Sequence, residues 1–231
     1  MAGNESQQLD GPRWGPKTGG GGGASPPRQL VVLLHGVGAD GHDLIDLAPH
    51  WSQAAPEAVF VAPNAPFPYE GAPFGRQWFS IEDRTPARLE AGVRHAATIL
   101  ERFLEAERAR HGLPPTAPLV LMGFSQGAMT ALFAGLRRRP APAAILAYSG
   151  ALLAPDSLAA ELAGRPPVLL VHGEADEIVP VSASRVAEQA LRAAGVPVEA
   201  HYAPRLGHGI DDAGLSLGAL FLQRALAMPP P

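Results

Sequence analysis

Leu119-Val-Leu-Met-Gly-Phe-Ser-Gln-Gly-Ala128 is the stretch from which the rest of this 231-residue chain is read. An apolar run enters Gly123-Phe124-Ser125-Gln126-Gly127, and an Ala/Leu-rich segment with helical spacing follows. A strand that turns directly into a helix around one Ser is a nucleophile elbow: the turn holds the Ser in strained backbone geometry, and the flanking glycines keep neighbouring chain from colliding. Ser125 then projects beyond the sheet at a helix N-terminus, where backbone N–H groups and the helix dipole favour a developing oxyanion. Glycine-rich turns also serve packing, and a Ser in that place can simply cap the helix, so the reading needs partners elsewhere in the chain.

Two later segments supply them. Val168-Leu-Leu-Val-His-Gly-Glu-Ala-Asp-Glu-Ile-Val-Pro180 reads as a buried strand followed by a loop that carries Asp176, and Arg205-Leu-Gly-His-Gly-Ile210 presents His208 in a Gly-flanked turn after another strand. The chain order Ser, Asp, His is that of the α/β-hydrolases. In that arrangement Asp176 orients His208 and stabilises its imidazolium, while His208 takes the Ser125 proton and later returns one to the leaving group. Glu174, Glu177, Asp211 and Asp212 lie close by in sequence and read as solvated carboxylates. His201, the nearest rival base, falls inside a predicted strand.

Leu33-Leu-His-Gly-Val-Gly-Ala-Asp40 is a strand end followed by small residues. A loop after this early strand provides one oxyanion donor in such folds, the other being the backbone N–H after the nucleophile, which assigns the role to Val37 and Gln126. Outward from these motifs, short apolar runs at residues 30–35, 58–62, 118–123, 143–148, 167–172 and 197–202 alternate with helical spacing at 85–110, 126–139, 181–194 and 215–227. Continuous apolar runs mark strands buried on both faces, so the expectation is a single doubly wound, mostly parallel sheet with helices on both faces.

Taken together, His35-Gly-Val-Gly38, Gly123-Phe-Ser-Gln-Gly-Ala128, His172-Gly-Glu-Ala-Asp-Glu-Ile-Val-Pro180 and Gly207-His208 resemble the bacterial phospholipase/carboxylesterase family, related to acyl-protein thioesterases. The resemblance covers residues 28–227. It implies a serine esterase with Ser125, Asp176 and His208 as triad, a preference for short or medium acyl esters, and often a homodimer. Lysophospholipase and acyl-thioesterase activities share the acyl-enzyme route and stand as alternatives. Val37 departs from the Leu that the related thioesterases usually carry after His-Gly, a change that bears on pocket shape because the donor is a backbone N–H.

Phe67-Pro-Tyr-Glu-Gly-Ala-Pro-Phe-Gly-Arg-Gln-Trp-Phe79 concentrates aromatics in a stretch too rich in Pro and Gly for regular structure. The family carries a Trp-Phe pair in the equivalent loop, matched by Trp78 and Phe79, which implies an apolar wall for the substrate pocket; the alternative is that the rings pin the loop to the core. No insertion between the later strands is long enough for a large lid.

Composition excludes other classes. Eighteen Lys+Arg against 22 Asp+Glu give a net charge of −4, with no basic stripe for nucleic acid, and the absence of Cys removes thiolate chemistry. No segment approaches the ~18 apolar residues of a membrane span, and the N-terminus has no basic region followed by an apolar run, so a cytoplasmic protein acting on small-molecule esters is expected. Gly36-Val-Gly-Ala-Asp-Gly41 also fits a dinucleotide-binding turn, but the next strand ends Val61-Ala-Pro-Asn64 without the acid that holds a ribose. Spacing among His35, Asp40, His42, Asp43 and Asp46 matches no metal pattern, so neither cofactor nor metal is expected. A non-catalytic binding protein on the same fold is the remaining alternative. Residues 1–27 read as a flexible segment with one edge strand among residues 11–18, and residues 28–231 as the catalytic domain.

Overall fold

The computed structural model describes residues 9–16 and 26–227. The glycine run read as a linker lies mainly, and the Met228-to-Pro231 tail wholly, outside the described residues. Within them the apolar runs become the strands of one sheet. In chain order the elements are β1 (Arg13–Trp14), β2 (Gln29–Leu34), α1 (His42–Ile45), α2 (Leu47–Trp51), β3 (Ala58–Val61), β4 (Phe67–Pro68), β5 (Arg76–Gln77), α3 (Pro86–Arg110), β6 (Leu119–Phe124), α4 (Gln126–Arg137), β7 (Ala144–Tyr148), α5 (Pro155–Glu161), β8 (Val168–Gly173), α6 (Val181–Ala193), β9 (Val198–Ala203) and α7 (Asp212–Ala227). The main sheet runs β1-β3-β2-β6-β7-β8-β9, every pairing parallel except β1 with β3.

Side-chain alternation along β2 explains the layers. Leu30, Val32 and Leu34 face one core with α3, α4 and α6, while Val31 and Leu33 face a second with Trp51 of α2 and Phe221 and Leu222 of α7. Helices therefore cover both faces. Pro86 opens α3, where a missing N–H costs nothing, and the stops after α3 and α6 use Gly112 at φ 64° and Gly195 at φ 72°, backbone values that favour glycine. Strand β9 is only partly buried along most of its length because it forms the far edge of the sheet.

Several local features depart from the expectations. Helix α4 ends at Arg137, two residues short of the predicted 139, because Arg138 turns into extended backbone ahead of Pro140. Of the arginines there, Arg139 is exposed, while the Arg137 guanidinium lies 3.9 Å over the Phe133 ring and pairs with Glu161, and the buried Arg138 pairs with Glu101 and Glu105. Hydrogen bonds from Arg137, Arg94 and Ser157 outweigh the effect of burial and hold the Glu161 carboxyl down at about 2. The same glutamate thus joins Arg137 of α4 to Arg94 of α3.

Candidate active site

Parallel strands end together, and the site lies where β6, β8 and β9 give way to loops. Between Phe124 and Gln126 the backbone of Ser125 takes φ 54° and ψ −118°, a strained conformation for a residue with a side chain. Its N–H donates to the Tyr148 carbonyl at 2.8 Å, and its own carbonyl accepts the Met129 N–H at 3.1 Å. The flanking glycines are required by close approach. A Cβ on Gly123 would lie 2.3 Å from the Gly127 carbonyl carbon, and one on Gly127 would lie 1.9 Å from the Leu34 carbonyl oxygen.

The loop after β8 and the turn after β9 bring Asp176 and His208 into direct contact: His208 Nδ1 donates to Asp176 Oδ2 at 2.7 Å. Asp176 Oδ1 accepts the N–H groups of Ile178 and Val179, each at 2.9 Å, which fixes the carboxylate plane. Burial pushes the Asp176 carboxyl up, but the hydrogen bonds from His208, Val179 and Ile178 outweigh it and hold the group below the usual carboxylate range. With Nδ1 carrying a proton for Asp176, the Nε2 lone pair of a neutral His208 is left for a substrate-side partner. The imidazole packs against the Phe124 ring at 4.8 Å between centroids, beside the elbow. Among the described residues no hydrogen bond joins Ser125 Oγ to His208; contacts of this kind commonly tighten only when substrate is bound.

The loop after β2 lies against the elbow, since a Cβ on Gly36 would meet the Phe124 ring at 3.2 Å and Ser125 Cβ at 3.4 Å. It is held from several sides. The Gly38 N–H donates to the Arg76 carbonyl at 2.8 Å, and Arg76 N–H donates to Ala39 at 2.9 Å. The buried His35 accepts the Ala65 N–H on Nε2 at 2.9 Å and donates Nδ1–H to the Gly36 carbonyl at 2.7 Å, and burial pushes its pKa down, so it is a neutral spacer. Gln126 N–H, at the first position of α4, is one of the donors without an intrahelical acceptor.

Trp78 and Phe79 depart from the expected pocket wall. At 0% and 2% exposure both rings are packed in the core, leaving little of either face to a ligand. The Trp78 Nε1–H donates to the His35 carbonyl at 2.9 Å, and the Gln126 side chain clamps both residues, accepting the Trp78 N–H on Oε1 and donating from Nε2 to the Phe79 carbonyl, each at 2.7 Å. Pinning the loop is therefore their observed role. Neither this function of the Gln126 amide nor that of His35 had any motif to announce it. Gln126→Ala is expected to leave two buried backbone groups unpaired and to destabilise the fold by about 2–4 kcal/mol, read as a lower urea midpoint at unchanged slope.

The other crowded polar residues have local tasks. Asp40 Oδ1 accepts the His42 N–H at 2.8 Å, and Asp211 Oδ1 accepts the Gly214 N–H at 2.8 Å at the start of α7. A Cβ on Gly41, the last glycine of the dinucleotide-like pattern, would lie 2.0 Å from the Ala62 carbonyl oxygen, so packing accounts for it. Among the described residues no helix is long and apolar enough to cross a membrane.

A mostly parallel sheet wound on both faces, with a strained Ser at the turn from a central strand into a helix, is the architecture of an α/β-hydrolase. Residues 22–226 match the phospholipase/carboxylesterase family, and the chain belongs to it. It is 31% identical over 193 residues to esterase YpfH of Escherichia coli (strain K12), covering 80% of this chain and 78% of that protein. Acyl-protein thioesterase 1 of Gibberella zeae is 28% identical over 217 residues, 87% of this chain and 91% of its own. The crystal structure of esterase PE8 superposes with a TM-score of 0.86 at 42% identity, covering 95% of this chain and all of that one. The protein is a serine esterase of this family, as the sequence motifs imply.

Proposed function

We propose that Ser125, His208 and Asp176 form the triad of a carboxylesterase acting on short- to medium-chain esters, with the backbone N–H groups of Val37 and Gln126 as the oxyanion hole. The observation that carries this reading is the 2.7 Å bond from His208 Nδ1 to a buried, ionised Asp176 whose other oxygen is saturated by two backbone donors. His208 Nε2 accepts the Ser125 proton as Oγ attacks the ester carbonyl. The oxyanion forms against the two N–H groups, and collapse expels the alcohol with a proton from His208. Water repeats the sequence on the acyl-Ser125 ester, releasing the carboxylic acid and restoring Ser125.

The test is intact mass after exposure to a fluorophosphonate. One adduct per chain, absent from Ser125→Ala, is the expected result; a folded protein that takes up no reagent would overturn the assignment. Because His208 must be neutral to accept a proton while Asp176 stays ionised to low pH, kcat/KM is expected to fall along a single-proton limb as the solution is acidified. A pH-independent rate from about 5 to 8 would remove His208 as the base.

The similarity to an acyl-protein thioesterase supports a second substrate class on the same triad, and a matched panel of esters and thioesters separates the two by kcat/KM. A cytoplasmic location and a homodimer belong to this proposal through the sequence reading, and sedimentation velocity tests the dimer.

A further inference from the structure

Behind the Asp176–His208 pair lies a second histidine that the reaction scheme does not use. His172, at the end of β8, has no exposed surface. Its Nε2 stands 2.8 Å from the Val179 carbonyl oxygen and 3.1 Å from Asp176 Oδ2, the same oxygen that accepts from His208. A carbonyl and an ionised carboxylate can only accept, so Nε2 carries the proton. On the other side of the ring, Nδ1 lies 2.6 Å from Ser184 Oγ of α6, a hydroxyl that is itself 3.2 Å from the Gly150 carbonyl. Nδ1 and the Ser184 hydroxyl make the shortest contact of this group, 2.6 Å against the hydroxyl's 3.2 Å bond to the Gly150 carbonyl. Val179 closes the unit, since its N–H binds Asp176 Oδ1 while its carbonyl takes His172 Nε2–H.

We infer that His172 is a positioning residue for Asp176, with its Nε2–H fixed by the Val179 carbonyl and the Asp176 carboxylate and its ring anchored by Ser184, so that the line Ser184–His172–Asp176–His208 sets both the direction and the charge of the carboxylate oxygen that faces the base. This rests on the reading of Asp176 as the triad carboxylate. The consequence is electrostatic as well as geometric. A second donor on Oδ2 spreads the carboxylate's charge over two imidazoles, so removing it leaves more of that charge to stabilise a protonated His208. The ionisable groups against His172 are Asp176 and, through it, His208; Arg185, next to Ser184 on α6, pairs with Glu174 at the surface.

The test compares His172→Phe, His172→Gln and Ser184→Ala with the full-length wild type on one short ester, with rates taken per active site titrated by fluorophosphonate. His172→Phe is expected to lower kcat about tenfold or more with little change in KM. It is also expected to move the acid limb of kcat/KM to higher pH. His172→Gln keeps an N–H donor near the Nε2 position and is expected to recover part of both effects. Should the Phe variant fail to fold, Ser184→Ala carries the test, because loss of the hydroxyl leaves Nδ1 unanchored, weakens the ring's hold on Asp176 Oδ2 and shifts the limb in the same direction by a smaller amount. A residue that only fills space would lower the melting temperature and leave the limb where it is; wild-type kcat and an unmoved limb in folded His172→Phe or Ser184→Ala overturn the inference. Asp176→Asn run alongside separates the two readings: if it hydrolyses ester like wild type, the triad assignment fails first and the inference with it.

Discussion

Ser125→Ala, His208→Ala and the double variant are expected to lose the same ester hydrolysis, on the order of 10⁶-fold in kcat, and not to compound. The expectation follows from the geometry of dependence. His208 has no function in acylation without a hydroxyl to deprotonate, and Ser125 Oγ is a weak nucleophile without a base. On the proposed mechanism, whichever is removed, what is left is the proposed oxyanion hole and substrate binding. The Ser125 substitution leaves the Tyr148 and Met129 hydrogen bonds of the elbow in place, since both use its backbone. Losses that multiply in the double variant would mean that the two side chains act independently, and single-turnover rates on an activated ester decide it.

Among the described glycines, Gly127→Ala is expected to be the most damaging added methyl group, costing at least ~3 kcal/mol. The added carbon would lie 1.9 Å from Leu34 O, 2.5 Å from Leu34 C and 2.6 Å from His35 O, all backbone atoms at the end of β2. No rotamer change relieves such a contact. Either α4 or the end of β2 must move, and β2 leads into the loop that carries Val37. Stability and activity are therefore expected to fall together. Gly15→Ala, where nothing lies within 4 Å, is the control and is expected to stay within about 0.5 kcal/mol of wild type. Urea midpoints measure both, and near-equality of the two variants would show that the elbow yields more easily than its backbone contacts imply.

Much of the architecture was legible in the chain because burial on both faces writes parallel strands as unbroken apolar runs, and because Ser125 and Asp176 each follow such a run, while the run before His208 is broken by Glu199 and His201, as suits the half-exposed edge strand β9. The short helices α1, α2 and α5 were not legible. With four, five and seven residues they span too little chain for a period of 3.6 to show. The burial of Trp78 and of Arg138 was hidden for another reason, since each depends on partners far away in sequence: Gln126 is 48 positions from Trp78, and Glu105 is 33 from Arg138. His172 illustrates the same limit. Its position within His-Gly-Glu-Ala-Asp is plain in the sequence, but a contact with Asp176 depends on how the loop after β8 folds back, which no spacing rule supplies.

The two-residue strand β1 has a consequence for how the polypeptide behaves outside its native setting. Arg13 and Trp14 cover Val61 and Phe60 of β3, Pro12 and Asp10 accept the next backbone donors, and Arg13 reaches across to the buried carboxylate of Glu107. A chain trimmed to begin at residue 26 would bare a row of unpaired donors and acceptors beside apolar side chains, a template for another copy to add a strand. Shortened forms of this esterase are thus expected to self-associate and turn turbid during expression and storage, a colloidal liability that residues 9–16 at the margin of the sheet hold in check.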